Sequence, residues 1–237
     1  MVGGGVGAGV AGPQQDRQRF PGAVGAVVEE RAPLSLAAGV VVDLDDCPEQ
    51  DDVSARLSEL VEGYNVRPRS DVLREIVETL YSRARHRIES DPTGAMTDLT
   101  TGLELLHHID RPALVAQLHG LRAWVNVVTG DHEAALVDYD AALEWAPSHP
   151  TYRNNRSVCR RLVGDLRGAL DDAREAVAEE RQSGVYWLTL AEAYAARGED
   201  GDAVTALRGA LRLNPSLSRR LDDPVLDRVR RRDDCPR

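Results

Sequence analysis

The second half of the chain repeats itself every 34 residues, and no other feature constrains the fold as strongly. At this period three glycines fall in phase, Gly130, Gly164 and Gly198. Small residues fall in phase beside them, at Ala135, Ala169, Ala203, Ala142, Ala176 and Ala210. A unit of this length with apolar residues at helical spacing predicts a pair of helices that buries its apolar faces by stacking on neighbouring units.

The first complete unit predicts two helices, over 116–129 and 131–146, which are separated at Gly130 and Asp131. Glycine suits the left-handed conformation that often ends a helix, and aspartate caps the N-terminus of the helix that follows. Ala135 and Ala142 are seven residues apart and therefore lie on one helix face. Their small side chains predict a close approach of the paired helix.

The third unit carries the most specific pattern, WLTLAEAYAARGEDGDAVTALRGALRLNP. It resembles the tetratricopeptide repeat (TPR), whose signature is W-x2-L-G-x2-Y, then A-x3-F, then P. The corresponding residues, with Ala for Gly and Leu for Phe, are Trp187, Leu190, Ala191, Tyr194, Ala203, Leu207 and Pro215. The first unit departs further, since His119 and Arg122 stand at the Trp and Leu positions. The resemblance implies an all-α fold, a TPR-type α-solenoid of antiparallel helix pairs.

The chain divides into four parts. Residues 1–50 have eight glycines within the first 26 positions, which predicts a low-complexity, mostly disordered N-terminal segment. Residues 51–115 predict helices with a degenerate repeat, since 95–105 matches 135–145 at a spacing of 40 and places six extra residues near 111–115. Residues 116–215 form the three tandem repeats. Residues 216–237 predict a capping helix and a polar tail, with Leu217, Leu221, Leu226 and Val229 on the apolar face.

Composition limits the partners that the chain can bind. The net charge of −10 argues against nucleic-acid binding, which needs a basic surface. No apolar run approaches the length of a membrane span, and the Gly-rich start is a poor secretion signal. The three cysteines lie far apart, at Cys47, Cys159 and Cys235, which predicts neither a disulfide framework nor a zinc site. We therefore expect a cytoplasmic protein.

All 29 basic residues are Arg, which indicates a high-GC bacterium; selection for bidentate Arg pairs is the alternative.

Two stretches contain residue types that catalysis or metal binding uses. Asp43 and Asp45 follow an apolar run and resemble the first motif of haloacid-dehalogenase-type phosphotransferases, but the Gly-Thr that should follow is missing. A linker with solvated acids is the favoured interpretation. His107 and His108 are adjacent, so on a helix they point in different directions and do not form a metal pair. The sequence thus predicts no catalytic residue, no metal site and no cofactor.

The resemblance implies a concave groove that is lined by the first helix of each pair. Trp and Arg are frequent binding anchors, and an Asn amide can hold a peptide backbone. The partner-binding residues that we predict are Gln117, Trp124, Val128, Asn154, Val158, Arg161, Leu188 and Glu192. In this hypothesis Arg161 lies at the rim and pairs with a carboxylate of the partner. The carboxylate clamp of the family needs lysine, which this chain lacks, so a chaperone-tail ligand is not implied.

These patterns favour a non-enzymatic TPR scaffold or adaptor that binds a partner protein or peptide in its concave groove. The alternatives are a regulatory or accessory module of a separately encoded enzyme, and a self-associating sensor that forms a homodimer. A phosphatase-like activity would rest on Asp43 and Asp45 alone. The groove would instead be structural if it packs against the N-terminal segment of the chain or against a second copy.

Overall fold

A succession of α-helices runs through the described part of the chain, and short helices close its C-terminal end. The computed structural model describes residues 51–67, 69–106, 111–221 and 223–231. The long helices are α1 (Asp51–Val66), α2 (Ser70–Arg87), α3 (Pro92–Leu106), α4 (Pro112–Thr129), α5 (His132–Trp145), α6 (Pro150–Leu162), α7 (Leu166–Glu179), α8 (Gly184–Ala196) and α9 (Asp200–Leu213). Each packs mainly on its neighbours in sequence, and the described residues contain no β-strand. The predicted all-α solenoid of antiparallel helix pairs is confirmed. The N-terminal segment 1–50, for which disorder was predicted, lies outside the described residues.

The period of the sequence reappears in the helix bounds. The second helices of the three repeats are α5, α7 and α9. From each of them to the next, both the first residue and the last residue shift by 34 positions. The first helices α6 and α8 keep the same spacing, from Pro150 to Gly184. Equivalent residues of successive repeats therefore occupy equivalent places in the solenoid, so a side chain can be compared directly with its counterpart one repeat away.

The turn between the two helices of each repeat depends on its glycine. Gly130, Gly164 and Gly198 have φ of 85°, 90° and 81°, in the left-handed region that other residues adopt only with strain. After the first two, an aspartate caps the next helix: Asp131 accepts from the backbone N–H of residue 134 at 2.9 Å, and Asp165 from that of residue 168 at 3.0 Å. The predicted break at Gly130 and Asp131 is thus confirmed together with its physical reason.

The in-phase alanines lie where helices touch. All six, Ala135, Ala142, Ala169, Ala176, Ala203 and Ala210, have no exposed surface. Because the interior is close-packed, a larger side chain at these positions has no free space to enter. The alanines explain how a chain that is only 4% aromatic builds a dense core from helices that lie close together.

Helix α4 begins earlier than the sequence indicated. We expected its start at residue 116, which is the position equivalent to Pro150 of the next repeat. The helix instead starts four residues earlier, at Pro112. Proline fits the first turn of a helix because it has no N–H to leave unpaired, and the three residues after it continue the helix. Part of the expected insertion is therefore an extension of α4. Residues 107–110, which include His107 and His108, lie outside the described residues.

The C-terminal cap consists of short helices rather than one long one. Two 3₁₀ helices (Pro215–Arg220 and Pro224–Leu226) precede α10 (Asp227–Arg230). The four apolar residues that define the cap are at most 9% exposed and join the core of α8 and α9; they are Leu217, Leu221, Leu226 and Val229. The cap thus covers the apolar side of the third repeat.

Candidate functional site

The first helices of the three repeats line one cavity of about 560 Å³ on the solenoid. We call it the groove cavity, and its lining residues are Trp124, Val127, Asn154, Asn155, Val158, Arg161, Val185, Leu188, Thr189, Glu192 and Asp223. Two of these residues come from α4, four from α6, four from α8, and Asp223 from the C-terminal cap. One concave surface is therefore assembled from residues 34 positions apart, as expected for stacked repeats.

The apolar part of the groove cavity combines a buried floor with an exposed wall. Leu188 is only 2% exposed and belongs to the core, so it forms the floor. Trp124 is 44% exposed although it is the largest apolar side chain in the lining. Outside the cavity, Val128 and Leu162 hold equivalent positions on α4 and α6 and are 47% and 49% exposed. Apolar surface that is gathered on one concave face is typical of an interaction site.

The amide of Asn154 lies in the groove cavity with one polar atom unpaired. The side chain is 5% exposed, and its Nδ2 donates to Oδ1 of Asn155 at 3.2 Å. Its own Oδ1 is buried and accepts no hydrogen bond from the described residues. A buried acceptor without a donor costs about 1–3 kcal/mol. A ligand N–H that reaches this oxygen would remove that cost.

The charged part of the groove cavity is an ion-pair cluster of Arg161, Glu192 and Asp223. Nη2 of Arg161 lies 3.3 Å from Oε2 of Glu192 and 3.1 Å from Oδ2 of Asp223. The second carboxylate oxygen of Asp223 accepts from the backbone N–H of Val225 at 2.9 Å and so caps the helix that starts at Pro224. Arg161 therefore differs from the free rim cation that we expected: its guanidinium is engaged by two carboxylates of the same chain.

The structure brings together six of the eight residues predicted to bind a partner. Trp124, Asn154, Val158, Arg161, Leu188 and Glu192 all line the groove cavity. Gln117 and Val128 are exposed on α4 but lie outside it, two turns before Trp124 and one turn after it. Whether any of these residues contacts a partner stays a prediction.

Five lining residues lie outside the predicted set of eight: Val127, Asn155, Val185, Thr189 and Asp223. Asn155 and Thr189 each follow a predicted groove residue directly, so a wider inward-facing stripe would have included them. No periodicity points to Asp223, because it comes from the irregular cap.

A series of ion pairs with buried aspartates elsewhere in the solenoid is structural. The pairs join a first helix to the second helix of the same repeat, and they are Arg83–Asp98, Arg122–Asp138 and Arg156–Asp172. Burial alone raises the pKa of Asp138, but hydrogen bonds from His119 and Arg122 outweigh it and hold that pKa below its usual value. A second cavity of about 550 Å³ lies beside this pair and is lined in part by Trp145. In the third repeat, Leu190 and Ala206 replace the pair and are both buried.

The described residues bear on the sequence predictions for metal-binding and catalytic residues. They contain no group of three or more His, Cys, Asp or Glu side chains that could hold a metal ion. Asp43 and Asp45, the acids of the phosphotransferase-like stretch, lie outside them. None of the helices described has both the length and the apolar character that a membrane crossing requires.

Comparison with known proteins identifies the repeats. The chain is 31% identical over 143 residues to tetratricopeptide repeat protein 36 of Bos taurus, a match that spans 54% of this chain and 74% of that protein. The chain belongs to the tetratricopeptide repeat family. It is 35% identical over 111 residues to the Mus musculus protein of the same name, but this TPR match covers 44% of the chain and only 56% of the mouse protein. No family model matches the chain.

Solved structures support the same TPR fold. The crystal structure of MamA matches with a TM-score of 0.56 at 14% identity, over 72% of this chain and 94% of MamA. The crystal structure of BtubC (BKLC) from P. vanneervenii matches with a TM-score of 0.59 at 18% identity, over 73% and 76%. At these identities the likeness concerns the fold alone. Membership of the TPR family implies a protein-interaction scaffold.

Proposed function

We propose that the chain is an adaptor that holds an extended segment of a partner protein in the groove cavity, and that it acts by binding rather than by catalysis. The observation that carries this proposal is the cavity itself, in which side chains from α4, α6 and α8 converge on one concave surface. A cytoplasmic location belongs to the same proposal.

The lining suits a peptide in extended conformation. Trp124 offers a rigid apolar anchor that is 44% exposed, and the valines around it extend the apolar surface. The unpaired Oδ1 of Asn154 can accept a hydrogen bond from a backbone N–H, which every residue except proline provides. Interfaces concentrate most of their binding energy on a few anchors of this kind, among which tryptophan is frequent.

The two exposed tryptophans provide a matched test. Trp124 is 44% exposed in the groove cavity, and Trp145 is 51% exposed on α5, outside it. We expect Trp124→Ala to weaken binding of a partner captured from the native host by about 2 kcal/mol or more, the scale of an interface hot spot. Trp145→Ala should leave the same binding unchanged. Both variants should keep the thermal stability of the parent chain, because both indoles are half in solvent.

The affinity of each purified variant for the captured partner can be measured by isothermal titration calorimetry. Equal losses from the two tryptophans would place the partner off the groove and refute the proposal. If the captured partner is a second copy of the chain, sedimentation equilibrium of the parent will show a dimer that Trp124→Ala dissociates. That result would replace the adaptor by a self-associating module.

A further inference from the structure

The cavity beside the Arg122–Asp138 pair is formed by α3, α4 and α5 and has a volume of about 550 Å³. We call it the junction cavity, because it lies where the spacing between repeats widens from 34 to 40 residues. Pro112 and Val115, which belong to the extra turn of α4, line it. Its volume falls in the range of small-molecule sites, which is about 300–1,000 Å³.

The apolar part of the junction cavity contains a half-exposed aromatic ring. The indole of Trp145 is 51% exposed. The residues equivalent to it one and two repeats later are Glu179 and Leu213, so the repeat itself does not require a tryptophan here. Four further apolar side chains line the cavity with it, namely Leu103, Leu106, Pro112 and Val115. Together they offer a surface on which a ligand ring can stack.

The junction cavity also presents a cation and an anion that do not pair with each other. Arg111 precedes the first residue of α4, and Glu104 lies on α3. Both line the cavity and are exposed, and neither forms an ion pair with any described residue. A ligand that lies between the two can therefore place a carboxylate on Arg111 and an ammonium on Glu104.

The remaining ionisable groups at the cavity are engaged by Asp138. Arg122 donates to it from Nε and Nη2 at 2.9 Å and 2.7 Å, and Nδ1 of His119 lies 2.9 Å from it. While His119 is neutral, the two guanidiniums and the two carboxylates of these described residues sum to zero. A ligand without net charge is therefore favoured, since one with a single charge is repelled by either Glu104 or Arg111.

A free α-amino acid meets these conditions. It carries an ammonium and a carboxylate beside its side chain, whereas a residue within a peptide has lost both charges to amide bonds. We propose that the junction cavity binds a free α-amino acid with an aromatic side chain, its carboxylate paired with Arg111, its ammonium with Glu104 and its ring against Trp145. This inference concerns a different cavity from the groove and does not rest on the proposed function.

The first arm of the test removes one group of the ligand at a time. The full chain is titrated with phenylalanine by ligand-observed NMR, and then with analogues that lack the ammonium (phenylpropionate), the carboxylate (phenethylamine) or the ring (alanine). Each analogue should bind at least about tenfold more weakly, the effect of losing a charge-assisted hydrogen bond or a buried ring. The tripeptide Gly-Phe-Gly, whose terminal charges are distant from the ring, should bind similarly weakly.

The second arm matches each charge of the ligand with a variant. Glu104→Gln should weaken phenylalanine by at least about tenfold but should not weaken phenylpropionate, which has no ammonium. Arg111→Gln should weaken phenylalanine likewise but not phenethylamine, which has no carboxylate. Trp145→Ala should weaken phenylalanine, whereas Trp124→Ala, in the groove cavity, should not.

The control for charge is Glu133→Gln, at an exposed position on α5 outside the junction cavity. It should leave the affinity for phenylalanine within about twofold, since exposed charges that are distant from a ligand are screened. Equal losses from Glu104→Gln and Glu133→Gln would assign the effect to the overall charge of the chain and would overturn the inference.

Two results of the ligand arm would also overturn the inference. One is a chain that does not bind phenylalanine, and the other is a singly charged analogue that binds as tightly as phenylalanine. This arm needs no substitution, so it decides the question even if a variant fails to fold. The partner of the groove cavity is measured separately, so the proposed function is tested independently.

Discussion

The ion pair of the second repeat can be replaced by residues that the third repeat already uses. Arg156 donates from Nε and Nη2 to Asp172 at 2.8 and 2.7 Å, and Asp172 is 3% exposed. One repeat later the two positions hold Leu190 and Ala206, both buried. The double substitution Arg156→Leu with Asp172→Ala therefore transfers a working apolar contact from one repeat to its neighbour.

The two single changes should differ sharply from the double one. Removing one partner of a fully buried pair costs about 3–5 kcal/mol. Asp172→Ala should cost less, about 2 kcal/mol, because the Arg156 side chain is 16% exposed and its Nη1 keeps Asp140 at 2.6 Å. The double variant removes the charge at both positions, but Arg160, whose Nη1 lies 2.9 Å from Oδ2 of Asp172, loses that partner. Because the Arg160 side chain is 25% exposed and keeps Asp165 at 3.7 Å, the double variant should lie within about 1 kcal/mol of the parent. Arg156→Leu should also cost about 2 kcal/mol, because Asp172 keeps Arg160 at 2.9 Å. The coupling between the two sites is then about 3 kcal/mol.

The stability cost of removing Asp98 provides the reference with which the cost of Asp172→Ala is compared. Arg83 and Asp98 are 1% and 2% exposed, so Asp98→Ala should incur the full cost of about 3–5 kcal/mol. At about 2–4 °C per kcal/mol for a chain of this size, the melting temperature should fall by roughly 6–20 °C, against roughly 4–8 °C for Asp172→Ala. Circular dichroism and urea unfolding measure both. If the double variant is less stable than Asp172→Ala, or if the order of the two aspartates is reversed, the reasoning from burial is wrong.

Three further predictions concern the repeat geometry and its response to pH. Ala169→Leu should cost about 1–3 kcal/mol of unfolding free energy, because the methyl group has no exposed surface and a larger side chain overpacks the helix contact; an unchanged urea midpoint would show that the contact is loose. Gly164→Ala should cost about 1–2 kcal/mol, because φ of 90° strains any residue with a Cβ, whereas Gly201→Ala within α9 should be neutral or stabilising. Since the pKa of Asp138 is lowered in the folded state, its stabilisation is complete above the unfolded value of about 3.9 and is lost as pH falls through the folded value. The unfolding free energy of Asp138→Asn should accordingly fall less steeply than that of the parent between neutral pH and pH of about 3, and parallel curves would argue against the pKa shift.

The parts of the fold that follow from the sequence are those set by interactions within one repeat. A glycine at each turn is required by a backbone angle, and an alanine at each contact by the distance between two helices. Both requirements recur in every repeat, so the sequence shows each of them three times at a spacing of 34 residues. The groove follows from the same repetition: once Trp124 and Val158 are known to be equivalent, their common face follows.

The parts that escaped the sequence depend on contacts made once. The start of α4 at Pro112 has no counterpart in the shorter helices α6 and α8, so the period gives no information about it. Asp223 lies 62 residues beyond Arg161 and reaches it only because the cap turns back over α8. A sequence pattern shows that Asp223 precedes a proline and can cap a helix, but not where its second oxygen points.

The ion pairs also explain one of the positions at which the first two repeats depart from the family motif, namely its leucine. The motif has leucine where the third repeat has Leu190, and its neighbour on the second helix is Ala206. At the same two positions the first repeat has Arg122 with Asp138, and the second has Arg156 with Asp172. The residues change as pairs, apolar with apolar or cation with carboxylate, because either half alone would leave a charge without its partner between two helices. An arginine at the leucine position of the motif therefore changes the sequence signature but preserves the packing of the repeat. An aspartate 16 residues after that arginine indicates such a repeat in the sequence.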